Sequence, residues 1–291
     1  MKSNKPLRLL AALALLSVAC WAQATISCTA PTSTGIITGY TPAAPVPDSN
    51  QATFSTTCTR GAAGDPTQVL LRSQNNGVNP VGVQNRARLG ATANYLNYET
   101  YKDSACTIPW NSTSSGNEIT LTLPNDLLAH TITGSFWVCI TQAGQIKPAG
   151  TYTDTVSFRI RNLTDTPPSL SPTGTFPVTI MNPATCAAPT VATVAFGTYV
   201  AFRGTALVSP PANVVANCTL NLPYTLTLDS NSGVVVGLNY SLALSAIGTQ
   251  TGSGANQTFT ITGTMPAGQA GTCTTGSCPG TDASHVLTIT Y

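Results

Sequence analysis

Charge is what this chain has least of. Only 22 of its 291 residues are Asp, Glu, Lys or Arg, and histidine occurs twice. Such scarcity excludes a bundle of solvated charged helices and a nucleic-acid-binding surface. Two histidines do not furnish a His-rich metal centre, so neither metal nor cofactor is expected. Beyond residue 24 no apolar run reaches the length of a membrane-spanning helix, and no segment repeats apolar residues at the helical period. Gly, Pro, Thr, Ser and Asn dominate instead, with aliphatic residues spread regularly among them. This is the composition of short strands and turns, and the aliphatic content argues against disorder.

The amino terminus carries an export address. Lys2, Lys5 and Arg8 precede the apolar run Leu9 to Ala19, and Ala22-Gln23-Ala24 offers the small residues a signal peptidase needs. Residues 1–24 are expected to be a signal peptide cleaved before Thr25. Cys20 raises a lipoprotein reading, but Ser17 stands where a lipidation signal has Leu. Cleavage removes three cations and no acid, leaving nine cations against ten acids, a net charge of −1. The basic balance belongs to the leader and implies no acidic partner.

Eight cysteines follow: Cys28, Cys58, Cys106, Cys139, Cys186, Cys218, Cys273 and Cys278. An even number in an exported chain predicts disulfides, and their spacing suits a metal poorly. An internal repeat narrows the pairing. Cys28-Thr29-Ala30-Pro31 matches Cys186-Ala187-Ala188-Pro189, and Cys58-Thr59 matches Cys218-Thr219. Pro148-Ala149-Gly150 recurs as Pro266-Ala267-Gly268. The duplication predicts two related domains and pairs Cys28 with Cys58 and Cys186 with Cys218, leaving Cys106 with Cys139 and Cys273 with Cys278.

Period-two alternation dominates both halves, as in Val156-Ser157-Phe158-Arg159-Ile160 and Leu287-Thr288-Ile289-Thr290-Tyr291. Turn residues such as Ser230-Asn231-Ser232-Gly233 separate the runs. The pattern predicts an all-β fold with a two-sheet sandwich in each half. Proline, serine and threonine around Pro167-Pro168 and Pro172 have linker composition. The expected division is therefore residues 25–161, a linker at 162–174, and a second domain at 175–291.

The stretch Arg86-Ala87-Arg88-Leu89, then Tyr95 to Asp103, then Trp110, resembles the middle of the spore coat protein U domain. Gly150 to Val156 resembles that family's closing motif. In the second half, Phe196-Gly197-Thr198-Tyr199, Asn217-Cys218-Thr219 and Met265-Pro266-Ala267-Gly268-Gln269 resemble other parts of it. There the second domain departs from the first, with Ala283 and Thr281 set against Asp154 and Tyr152. The resemblance implies immunoglobulin-like, pilin-type sandwiches, the C-terminal one lacking its last strand. Members include subunits of archaic chaperone-usher pili. The partners implied are a periplasmic pilus chaperone, an outer-membrane usher and a neighbouring pilin subunit whose donor strand is added to an open sheet edge.

On that reading Leu287, Ile289 and Tyr291 form the acceptor edge. Only Thr25, Ile26 and Ser27 would precede Cys28 after cleavage, and at about 3.6 Å per residue three residues do not fill a groove. A two-domain subunit with nothing to donate resembles a tip adhesin of such a pilus, reaching a host or abiotic surface and promoting biofilm. Phe176, Val178 and Ile180 alternate shortly before Cys186, as a donor strand would. This segment either completes the first domain or begins the second.

Adhesive candidates are Pro42, Pro45 and Val46, in an apolar and nearly chargeless stretch, and Trp110. Ile36 and Ile37 also suit a core strand, and packing is the stronger reading for Trp110. Trp137 reads as core against Cys139. His130 and His285 lack a nucleophile in a recognisable setting, and Glu99, Asp103, Glu118 and Asp126 show no catalytic spacing, so no enzyme is expected. Two other readings stand beside the pilus: a spore-coat or extracellular matrix protein of the same fold, and a secreted carbohydrate-binding protein.

Overall fold

Alternation sets the faces of the strands. In the strand Gly150–Asn162, Tyr152, Val156, Phe158 and Ile160 are buried while Thr151, Thr153 and Thr155 face solvent. The computed structural model describes residues 26–40, 42, 45–74, 77–82, 84–112, 115–163, 170–190 and 192–291. The expected signal peptide and Cys20 lie outside them.

The strands run β1 (Ile26–Cys28), β2 (Thr32–Ser33), β3 (Ile36–Gly39), β4 (Asp48–Arg60), β5 (Gln68–Ser73) and β6 (Asn85–Leu89). Next come β7 (Tyr95–Tyr101), β8 (Ile119–Thr122), β9 (Ala129–Ile140), β10 (Gly150–Asn162) and β11 (Leu170–Asn182). The second half holds β12 (Cys186–Ala187), β13 (Leu207–Val208), β14 (Ala212–Cys218), β15 (Pro223–Leu228) and β16 (Ser232–Val235). It ends with β17 (Leu238–Leu244), β18 (Gln250–Thr251), β19 (Asn256–Met265) and β20 (Leu287–Thr290). The fold is all-β, with one short 3-10 turn at Ser115–Asn117 as its only helical element among the described residues.

In the first unit β1, β4, β9 and β7 form one face and β8, β5, β10, β11 and β3 the other, with β6 pairing to both β7 and β10. In the second, β12, β14, β19, β17 and β16 form one sheet and β18, β15 and β20 the other. The duplication shows directly in the register. Cys28 lies opposite Cys58 on β1 and β4, and Cys186 opposite Cys218 on β12 and β14, each pair disulfide-bonded with its Cα atoms 4.0 Å apart. The remaining disulfides join Cys106 to Cys139 and Cys273 to Cys278, the pairs expected from the repeat.

The expected division places residues 170–174 in a linker and 175–182 in the second domain, and the strand pairing differs for both. β11 runs antiparallel to β10 along its length and parallel to β3. Phe176, Val178 and Ile180 are fully buried in the first unit's core. The Phe176 ring lies 4.7 Å from Phe136, 5.6 Å from Phe158 and 6.2 Å from Trp110. Apolar alternation makes the segment a strand with an inward row of three large side chains, and such a row is stable where a second sheet covers it, as the first unit's aromatic core does here. Pro177, which has no amide to donate, sits just before the β3 pairing begins at Val178.

Candidate functional site: an open sheet edge

Two polar clasps are built twice, once per unit, and they fix which residues correspond. In the first, the Tyr98 hydroxyl donates to Asp154 Oδ2 at 2.7 Å and the Val78 amide to Asp154 Oδ1 at 2.6 Å. The second unit repeats this with Tyr240 on Asp282 at 2.6 Å and the Val234 amide on Asp282 at 3.2 Å. Gly77 and Gly233 precede those amides, and a Cβ at either would collide with the carboxylate, so glycine is required for the approach. Asp282, one position before Ala283, is thus the counterpart of Asp154.

The other clasp is a glutamine. The Gln145 amide N–H donates to the Tyr40 hydroxyl at 2.9 Å, while its side chain receives the Asn97 N–H at 2.7 Å and donates to the Asn97 carbonyl at 3.0 Å. Gln269 does the same with Tyr199 at 3.1 Å and with Asn239 at 2.7 and 3.0 Å. Ala267-Gly268-Gln269 therefore corresponds to Ala143-Gly144-Gln145, and the expected match to Pro148-Ala149-Gly150 is corrected. The shared Ala-Gly-Gln text, and the Asn-Tyr pairs at 97–98 and 239–240, were the signals available in the sequence.

Their electrostatics differ with depth. Burial pushes the Asp154 carboxyl up despite the hydrogen bonds it accepts, and burial followed by the Asp154 charge pushes the Tyr98 phenol well above its usual range. Asp282 is held below the usual carboxylate range, chiefly by the Tyr240 hydroxyl. Tyr240 also meets His285 Nε2 at 2.8 Å, and His285 Nδ1 lies 3.1 Å from Asp229.

With the units aligned, they differ by one strand beside β10 and β20. β10 pairs with β5 on one edge, Ile160 opposite Leu71, and with β11 on the other, Val156 opposite Phe176. β20 pairs with β15, Ile289 opposite Leu226, and among the described residues nothing pairs with its other edge. The consequences reach further. β3 owes its strand pairing to β11, and the corresponding Ala195–Thr198 is not a strand. Residues 272–286 are irregular where β10 is continuous. An open groove of about 560 Å³ lies between Leu226 and Leu228 of β15 and Leu242 and Leu244 of β17, bounded by Ala246 and the Asp229–Asn231 turn. Leu287 and Ile289 are half-buried and Tyr291 is 57% exposed, whereas Phe158 and Ile160 of the first unit are wholly enclosed.

The other candidates scatter. Trp110 is fully buried, its Nε1 donating to the Leu71 carbonyl at 2.9 Å, which removes it from any adhesive surface. Pro45 and Val46 are exposed and Pro42 is half-buried. Trp137 is half-buried between the inward-facing Phe136 and Val138, so it is not the core residue expected. The four acids take separate partners. Glu118 is buried in a two-pronged pair with Arg161 at 3.0 and 2.6 Å, and Asp126 meets His130 at 2.7 Å. Asp103 accepts the Thr107 and Ile108 amides in a turn, and Glu99 accepts the Asn85 amide, with burial pushing its carboxyl up to about 7. Among the described residues no group of three or more His, Cys, Asp or Glu side chains is placed to hold a metal ion.

A model of the Spore Coat Protein U domain matches residues 12–159. No curated protein matches the chain. Among solved structures, the chaperone–tip adhesion subunit pre-assembly complex of archaic chaperone-usher Csu pili from Acinetobacter baumannii is 14% identical, with a TM-score of 0.40. That alignment covers 91% of this chain and 100% of the other. The CupB6 tip adhesin of Pseudomonas aeruginosa is 8% identical over 92% of this chain and 95% of its own, with a TM-score of 0.35.

Proposed function

Because the chain belongs to the Spore Coat Protein U domain family, we propose that it is an exported subunit of an archaic chaperone-usher pilus whose second unit docks by accepting a β-strand. One observation carries the reading: the two units share their disulfide, their clasps and their sheet order, but among the described residues β10 has a strand on its outer edge and β20 has none. Unpaired N–H and C=O groups beside an apolar groove are an aggregation hazard, and a strand supplied by another chain pairs the edge while its alternate side chains fill the groove. A periplasmic chaperone supplies that strand first and a neighbouring subunit later. Passage through an outer-membrane usher belongs to the same reading.

The proposed position is the fibre tip. The first unit already holds its own strand β11, and Ile26–Cys28 is paired with Thr59 and its neighbours inside the same unit. The first unit then presents its loops to a surface, with Pro45 and Val46 the exposed apolar candidates. Co-expression with the cognate chaperone tests the docking. The expected result is a soluble one-to-one complex in place of an aggregating free chain, and a soluble monomer indifferent to the chaperone would refute it.

A further inference from the structure

The seam between the two units is a template for the seam between this protein and the next subunit. After Gln145 the first unit offers Ile146 and Pro148 to the second. Pro148 bridges to Leu220, and Ile146 lies so close to Gly254 that a Cβ there would strike it. Leu220 belongs to the turn that follows Cys218, so one pole of the second unit rests on the Gln145 pole of the first. The strand route ends at the same pole. Met181, at the end of β11, accepts the Tyr40 amide at 2.8 Å, and Cys186 of the second unit follows five residues later.

The clasps carry this geometry onto the second unit. Tyr40 corresponds to Tyr199 and Gln145 to Gln269, so Ala270–Thr272 takes the place of Ile146–Pro148. A strand entering as β11 does would leave beside Tyr199. If its subunit keeps a similar spacing to its first cysteine, the reach is about 18 Å at most, and that subunit must sit on this pole. The pole is apolar. Val200 is 67% exposed and Phe202 72%, with Ala270 exposed beside them, and the Phe202 amide donates to the Gln269 carbonyl at 2.8 Å. Phe202 also has a φ of 58°, a left-handed backbone that a bulky residue rarely adopts. A strained backbone holding an aromatic ring in water is costly unless something covers it.

We propose that Val200, Phe202 and Ala270 form the seat for the subunit whose strand completes the second unit, contacted by the turn after that subunit's second cysteine. This rests on the strand-accepting reading above. The test compares two extensions of the full chain, joined after Tyr291 through a flexible linker. One adds only a copy of residues 170–182; the other adds a copy of residues 170–291, strand and unit together. Hydrogen exchange is read at 281–290 and at 199–203 with 269–272 of the original second unit, told apart from the appended copy by segmental isotope labelling. The expected result is that both extensions slow exchange at 281–290, while only the longer one slows it tenfold or more at the pole. Val200→Ser with Phe202→Ser should abolish the pole's protection and spare 281–290. Protection at 281–290 with an unprotected pole in both would overturn the seat alone. No protection at 281–290 in either would overturn the strand-accepting reading, and the seat with it.

Discussion

Replacing Phe176 by Ala isolates the contribution of β11 to the first unit. The ring is wholly buried and lies within 6.2 Å of three aromatic rings, at centroid distances typical of favourable aromatic pairs. Truncating a buried Phe costs about 3–5 kcal/mol, and a site walled by Trp110, Phe136 and Phe158 from three separate segments has little room to collapse. With an m of roughly 2 kcal/mol/M in urea, about 4 kcal/mol moves the unfolding midpoint by about 2 M. The chain provides its own reporter: beyond residue 24 its tryptophans are Trp110 and Trp137, both in the first unit. Urea unfolding followed by tryptophan emission should therefore show the full shift. An unchanged midpoint, or a loss confined to tyrosine signals of the second unit, would refute the assignment of β11 to the first core.

Other perturbations separate the remaining contributions. Gly77→Ala should lower the tryptophan-reported midpoint by about 1–3 kcal/mol by driving a Cβ into Asp154, whereas Gly233→Ala should leave that transition in place and weaken the second unit. Differential melting of the two variants reads this directly. Glu99 is raised from 4.5 to about 7 by burial, so its proton is held more tightly in the folded state. The stability it contributes is present below its unfolded pKa and is lost as pH rises through about 7. Glu99→Gln should flatten the first unit's stability between pH 4.5 and 7.5, by at most about 3 kcal/mol, in urea titrations at stepped pH. Replacing Cys106 and Cys139 by Ser opens a loop of sequence separation 33 and should cost about 3–4 kcal/mol, seen in the same tryptophan signal.

Much of this was legible in the sequence because cysteines and alternating strands leave local marks. Cys28, Cys58, Cys186 and Cys218 announced the duplication, and the runs at 156–160 and 287–291 announced their faces. What stayed hidden depends on long-range contact. Phe176, Val178 and Ile180 read as a strand, but their sheet is set by which core covers them, and nothing local decides between two similar cores. Trp110 read as a packing residue ahead of an anchor, but the neighbours that enclose it, Leu71, Phe136 and Phe158, come from segments distant along the chain. The Pro-Ala-Gly match misled because three identical letters outweighed the conserved work of Gln145 and Gln269, which lies in hydrogen bonds to residues some distance away along the chain.

The open edge is most directly tested by residue-resolved amide exchange along Leu287–Thr290 in the chain purified without companions. With β15 on one side only, alternate amides of β20 should exchange freely while those of β10, paired on both sides, stay protected; added chaperone should slow the fast ones. Uniform protection of all four amides in the lone chain would contradict the account.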